Sequence, residues 1–329
     1  MKLKLIAIGI FISLNSCSQK KEIKMIQNPD ITANNIVDKI YAEVKTYTDY
    51  TRYYLDVKQG WCQSEIFVND IPVYQDYSNG GHTGVSINHV ILKSGLQKVN
   101  YKLYPVGEYE GENYPTFINE TEMEVTAEWQ DFYKHEKQGE SGVHIAPMSK
   151  PANSMVEPVS LLSGKKYYEG SFTFNAVVPY ELKGWSESQD LRKLDPKDLE
   201  KRVLAEFEKN KSIYQSKNLD AIAKIEFDNM RNQYVSEYAT RKDIQRGWDE
   251  TVNVVKSPEF EMQPIKDYKM VFYAEGRLVG LVSTSNDKNL KDKSVLVCHY
   301  KDKDGDLSGF VFSCFLHIPK GKTELEVVR

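Results

Sequence analysis

The run Glu65-Ile66-Phe67-Val68-Asn69-Asp70-Ile71-Pro72-Val73-Tyr74 decides how the first half of this chain is read. Two stretches of β-branched and aromatic residues flank Asn69-Asp70, a pair that tolerates the left-handed backbone of a tight hairpin. The same pattern continues outward. Ser78-Asn79-Gly80-Gly81 makes a loop, Val85 to Val90 resumes alternation, and Ser94-Gly95 turns the chain into Val99 to Tyr104. Met123, Val125, Ala127 and Trp129 alternate with Glu122, Glu124 and Glu128, which gives a strand one wet acidic face. Phe172, Phe174 and Ala176 close the set. Short strands of this kind, separated by Gly, Pro and Asn turns, predict an antiparallel β-sandwich.

Ahead of the strands, Ile36, Val37, Ile40, Tyr41, Val44 and Tyr47 recur at helical spacing with Asn35 as N-cap. They predict a helix within 36–55 that belongs with the sandwich in one unit, 36–182. Gly95 to Pro105 resembles a strand of immunoglobulin-like or jelly-roll-like accessory domains, a likeness of form only. Residues 183–196 read as a linker, because alternation stops there and helices begin. Asp195-Pro196 is a cap followed by proline at the first helical position. Leu199, Val203, Phe207 and Tyr214 mark one helical face, and Leu219, Ile222, Ala223, Met230 and Tyr234 a second. Thr240 and Asp243 open a third helix in the manner of a capping box, followed by Ile244, Trp248 and Val252.

The end of the chain reads as strands at 268–273, 278–283, 295–300 and 309–317, turning at Glu275-Gly276 and Asp304-Gly305. The expectation for 197–329 is therefore an α+β unit of three helices and one meandering antiparallel sheet. Lys211 to Ala223 resembles the first helix pair of NTF2-like (cystatin-like) domains. That resemblance implies a curved sheet around a cavity, with Trp248, Tyr268, Phe272 and His317 as its pocket candidates.

The whole chain has 329 residues, with 43 Lys+Arg against 47 Asp+Glu and 40% hydrophobic residues. This is the composition of a folded soluble protein, not of a disordered, collagen-like or multi-span membrane chain. A formal charge of −4 argues against a nucleic-acid binder, which needs a clustered cationic excess.

The N-terminus carries an address. Lys2 and Lys4 precede an apolar stretch from Leu5 to Leu14 that is too short to span a bilayer, and Leu14-Asn15-Ser16-Cys17 follows. This resembles the lipobox of bacterial lipoproteins. The resemblance implies a signal peptide at 1–16, acylation (palmitate among the chains) at Cys17, and a polar tether over 17–35. With Ser18 next, it implies the cell envelope, in the outer membrane of a Gram-negative bacterium on its periplasmic path. Removal of 1–16 takes away Lys2 and Lys4 and leaves a more acidic protein.

Candidate chemistry is sparse. Cys62, Cys298 and Cys314 remain after acylation, without CxxC spacing. A hairpin centred on Asp304-Gly305 sets 298 opposite about 311, which puts Cys298 and Cys314 several residues apart, too far for a bridge without a longer loop. Of the six histidines (His82, His89, His135, His144, His299, His317), His135-Glu136 and His144 are spaced wrongly for a helix-borne HExxH. Asp302, Asp304 and Asp306 crowd one turn but lack the remaining ligands of a calcium loop, so no metal and no cofactor is expected. Gly80 to Gly84 lies between strands, not ahead of a helix, and so is no phosphate loop. Trp61, Tyr74, Tyr77, Tyr104, Tyr109, Tyr114 and Trp129 all fall in the sandwich region. Beside Glu108, Glu110 and Glu112 they form a candidate aromatic surface for a glycan or an envelope protein.

Together these readings lead to a non-enzymatic binding module held at the membrane by N-terminal acyl chains. An enzyme using a C-terminal cavity and a periplasmic immunity or inhibitor lipoprotein are the alternatives.

Overall fold

The computed structural model describes residues 27–134, 137–150 and 157–329. The signal stretch 1–16, Cys17, the start of the tether and the pair His135-Glu136 lie outside them. A short helix, α1 (Ile36–Tyr41), comes first. Ten strands follow: β1 (Thr51–Gly60), β2 (Gln63–Val68), β3 (Ile71–Asp76), β4 (Gly80–Ser86), β5 (Gly95–Tyr104), β6 (Gly107–Tyr109), β7 (Glu112–Tyr114), β8 (Glu122–Asp131), β9 (Gln138–Ile145) and β10 (Tyr168–Ala176). Apart from the small β6–β7 hairpin, they form two four-stranded antiparallel sheets, in the orders β4-β1-β8-β9 and β10-β5-β2-β3. Inward residues of both sheets, among them Leu55, Val57, Ile66, Val99, Tyr101, Leu103 and Val125, fill one core. The sandwich is present as the alternation predicts.

Local chemistry accounts for the register. Asn69 and Asp70 take φ of 52° and 64°, the left-handed pair that a two-residue hairpin needs, and Val68 lies opposite Ile71. Pro72 has no N–H to offer a further strand, and β3 is an edge strand. A bulge in the β2–β3 pairing, where the register shifts between Ile66 and Phe67, leaves Val73 unpaired.

The C-terminal half begins with helices α2 (Pro196–Gln215), α3 (Leu219–Ser236) and α4 (Arg241–Lys256). Each is capped as its sequence requires. The Asp195 carboxylate accepts from the Asp198 N–H, Asn218 from Ala221, and Thr240 with Asp243 closes a full capping box. Strands β11 (Glu261–Met262), β12 (Tyr268–Tyr273), β13 (Leu278–Ser283), β14 (Val297–Lys301), β15 (Leu307–Val311), β16 (Leu316–His317) and β17 (Glu326–Val327) follow. The strands are antiparallel, yet they divide into two sheets, β11-β14-β15 and β12-β13-β16-β17, where one meander was expected. The turn-rich segment 284–294 separates β13 from β14, and the isolated Val282–Ser294 bridge ties its end back to β13.

Two expectations about the first helix are corrected. It ends at Tyr41, because Tyr47 and Tyr50 are drawn into an edge-to-face aromatic cluster with Tyr238, so packing overrides helical spacing. Its apolar face (Ile36, Val37, Ile40) joins the core of α2, α3 and α4, not that of the sandwich. The Asn35 side chain makes no cap hydrogen bond, and its carbonyl accepts from the Thr32 N–H instead.

The two halves are stitched together. Asn88, fully buried, donates to the carbonyls of Thr51 and Ser236 and accepts from the Tyr53 N–H. Tyr238 donates to the Thr51 carbonyl at 2.9 Å. Within the stretch read as a linker, Trp185 and Leu191 are buried, and the Leu191 N–H donates to the Gly276 carbonyl. Satisfied buried polar groups of this kind hold one relative placement, since each would be costly to leave unpaired.

Candidate functional site

Where the edge strand β3 meets the C-terminal sheets lies a cleft of about 400 Å³. Tyr74 and its neighbours on β3 form one wall. Tyr273, Leu281 and Val282 form the other, with Val311 and Phe315 beyond them. β3 is an edge strand, and it meets the C-terminal unit through side chains, with Gln75 Nε2 donating to the Asp292 carbonyl at 3.4 Å. Gly280 contributes no side chain. A Cβ there would stand 3.4 Å from the Cys314 carbonyl, ordinary contact, so this glycine is tolerant of substitution and keeps the space open.

The charges of the lining are unequal. Asp292 is fully engaged: Lys269 Nζ lies 2.6 Å away and the Tyr77 hydroxyl is 3.0 Å from its other oxygen. That hydroxyl is also 3.1 Å from Glu65 and sits between two carboxylates, so burial and then the two acids push it well above the usual phenol range. Lys291 caps the Tyr77 ring at 4.2 Å. Lys293 and Arg329, by contrast, pair with no carboxylate among the described residues. Arg329 Nη1 reaches only the His89 carbonyl, at 3.4 Å. Burial pushes its guanidinium down to about 10.

Arg329 and Ser313 also line a second cavity of about 240 Å³, together with His89, Trp185, Asn229, Asn232 and Gln233. Desolvation first, and the Arg329 charge second, hold His89 well below the usual imidazole range, so it is neutral at pH 7.

The seven aromatic residues divide into three groups. Trp61 packs on Tyr109 and Tyr114 with ring centroids 5.6 and 5.4 Å apart, at the β6–β7 hairpin. Tyr74 lines the cleft, Tyr77 reaches its Asp292 at 3.0 Å, and Lys291 lies over the rings of Tyr77 and Tyr104 at 4.2 and 5.6 Å. Trp129 stands apart, across from Gly139, where a Cβ would meet its indole nitrogen at 3.1 Å. The set is therefore not one surface, but part of it borders the cleft.

Trp248, Tyr268, Phe272 and His317 do not converge on a pocket. Trp248 is buried among the helices, and Tyr268 and Phe272 pack on the same core from β12. His317 is buried, 2.7 Å from the Ser188 hydroxyl, and burial pushes it down to about 4. Cys62, Cys298 and Cys314 are buried free thiols, and Cys298 lies opposite Phe310, one residue from the expected partner. Asp302 is spent on its own turn, accepting from the Asp304 and Asp306 N–H groups and the Ser308 hydroxyl. Among the described residues no three His, Cys, Asp or Glu side chains are grouped to hold a metal, and no helix is long and apolar enough to cross a membrane.

Lys293 and Arg329 were invisible in the sequence as site residues. Only long-range folding sets them beside β3, and no local pattern marks either. Compared with protein-family models, with curated proteins and with solved structures, the chain shows no match.

Proposed function

We propose that this chain is a lipid-anchored envelope protein that works as a non-enzymatic binding module, with the cleft between the sandwich and the C-terminal unit as its binding site. One observation carries the reading: a 400 Å³ space at the junction, walled by apolar side chains from both halves and bordered by cations without acidic partners. Concave sites at such junctions, mostly apolar with a few convergent polar groups, are the usual form of a small-ligand pocket. The lipobox resemblance around Cys17 supports the anchoring. The enzyme alternative placed its chemistry at Trp248, Tyr268, Phe272 and His317, which lie in or against the core and away from the cleft.

Native mass spectrometry of the full chain extracted from its envelope tests the proposal. A small molecule held by the wild type and lost from Gly280→Val, whose side chain would stand against Tyr273 and Phe315 in the cleft, supports it. The same bound mass on both proteins, or none on either, with both unfolding cooperatively, refutes it. If Gly280→Val does not fold, Gly280→Ala, whose Cβ meets only ordinary contacts, replaces it.

A further inference from the structure

The charges and walls of the cleft also indicate what it holds, an inference that rests on the binding reading above. Tyr74, Tyr273, Val282 and Phe315 present apolar surface suited to the body of a small molecule. Where the cleft meets the second cavity stand Arg329 and Ser313, shared by both. A guanidinium carries five N–H donors, and here a single long contact to the His89 carbonyl engages one of them. The donors are not sealed away either. Arg329 is half-buried and lines both cavities, and none of its unpartnered nitrogens is fully buried.

Lys293 adds a second cation to the lining. Asp292, the one acidic side chain there, is already engaged by Lys269 and Tyr77. The side chains of the lining therefore carry more positive than negative charge, on two half-buried cations, which favours an anion over a neutral or cationic guest. Asn232 is also buried on the second cavity, with hydrogen-bond partners no closer than 3.4 Å, and so leaves its amide open to a polar ligand group.

We propose that the cleft binds an amphipathic organic anion, whose carboxylate or phosphate head accepts hydrogen bonds from Arg329, with Lys293 as the second cation, while its apolar body lies against Tyr74, Tyr273 and Phe315. Neither cation alone makes this site; the pairing of unopposed charge with an apolar trough selects one class. Free inorganic phosphate satisfies the charge and wastes the walls, and a neutral apolar molecule does the reverse.

Calorimetric titration of the full chain with 2-naphthoate, 2-naphthyl phosphate and the neutral 2-naphthamide tests this. At least one anion should bind tenfold or more tightly than the amide, and the tighter of the two identifies the head group. Arg329→Met should abolish that preference while still unfolding cooperatively, and Lys293→Met should weaken it by a smaller factor. Equal binding of anions and amide, lost in Gly280→Val, would overturn the anion assignment and leave the cleft as a binding site. No binding of any of the three, with no molecule recovered from the envelope protein, would overturn both.

Discussion

Replacing Arg329 by methionine should make the ligand-free protein more stable, an unusual outcome for a largely buried position. The methionine keeps the apolar stem and removes the charge. Burial lowers the guanidinium from 12.5 to about 10. At about 1.4 kcal/mol per tenfold change in proton affinity, that is roughly 3 kcal/mol of desolvation. Because the side chain still touches water in the two cavities, we take a gain of about 1–3 kcal/mol. The lost hydrogen bond to the His89 carbonyl, 3.4 Å long, offsets little of it. The strand pairing of this segment uses backbone groups, with Phe315 N–H donating to the Arg329 carbonyl, and survives the change. For a chain of this size the gain corresponds to a rise in Tm of roughly 1–4 °C. Differential scanning calorimetry at pH 7, in the absence of ligand, measures it directly. His89 provides a second readout. With its cationic neighbour gone, its pKa should move up toward the ordinary imidazole value. A loss of more than about 1 kcal/mol in Arg329→Met would refute the reasoning, since it would mean that the guanidinium is well satisfied in the folded protein.

Three further outcomes are expected. Gly170→Ala would place a Cβ 2.3 Å from the ring of fully buried Tyr101, whose hydroxyl is tied to His144 at 2.7 Å, and should cost about 3 kcal/mol in urea denaturation. Gly81→Ala, with open space around it, is the harmless control. Burial holds His317 at about 4 in the native state against about 6.5 unfolded, so the unfolded chain binds its proton first. Stability from this residue is therefore complete above pH 6.5 and lost by roughly 3 kcal/mol as pH falls to 4. His317→Gln should flatten that part of the pH profile, and an unchanged slope would show that His317 is not responsible. Cys17→Ser should move the protein from the membrane to the soluble periplasmic fraction, and unchanged membrane retention would refute the lipobox reading.

Much of the fold was legible because its determinants are local. Asn69-Asp70 states a hairpin in two residues, and the structure uses both with positive φ. Asp195-Pro196 and Thr240 with Asp243 mark helix starts through hydrogen bonds that span three residues. The first helix was misread because Tyr47 continues its spacing in sequence but packs on Tyr238, far along the chain. The division of the C-terminal strands was hidden for a similar reason, since segment 284–294 reads as an ordinary connection. It delivers Asp292 and Lys293 to the edge of the sandwich. The candidate site was the least legible part. Tyr74 was singled out as one of a candidate aromatic surface, but its partners Lys293 and Arg329 are distant in sequence and carry no motif. Their meaning is geometric: one acid neutralised by Lys269, two cations left over, and an edge strand that borders the space.

A crystal structure of the protein purified from its own envelope, without added ligand, tests the central claim most directly. The account predicts density in the cleft between Tyr74 and Phe315, with an anionic end against Arg329. A cleft holding only ordered water, with Arg329 turned onto a protein carboxylate, would contradict it.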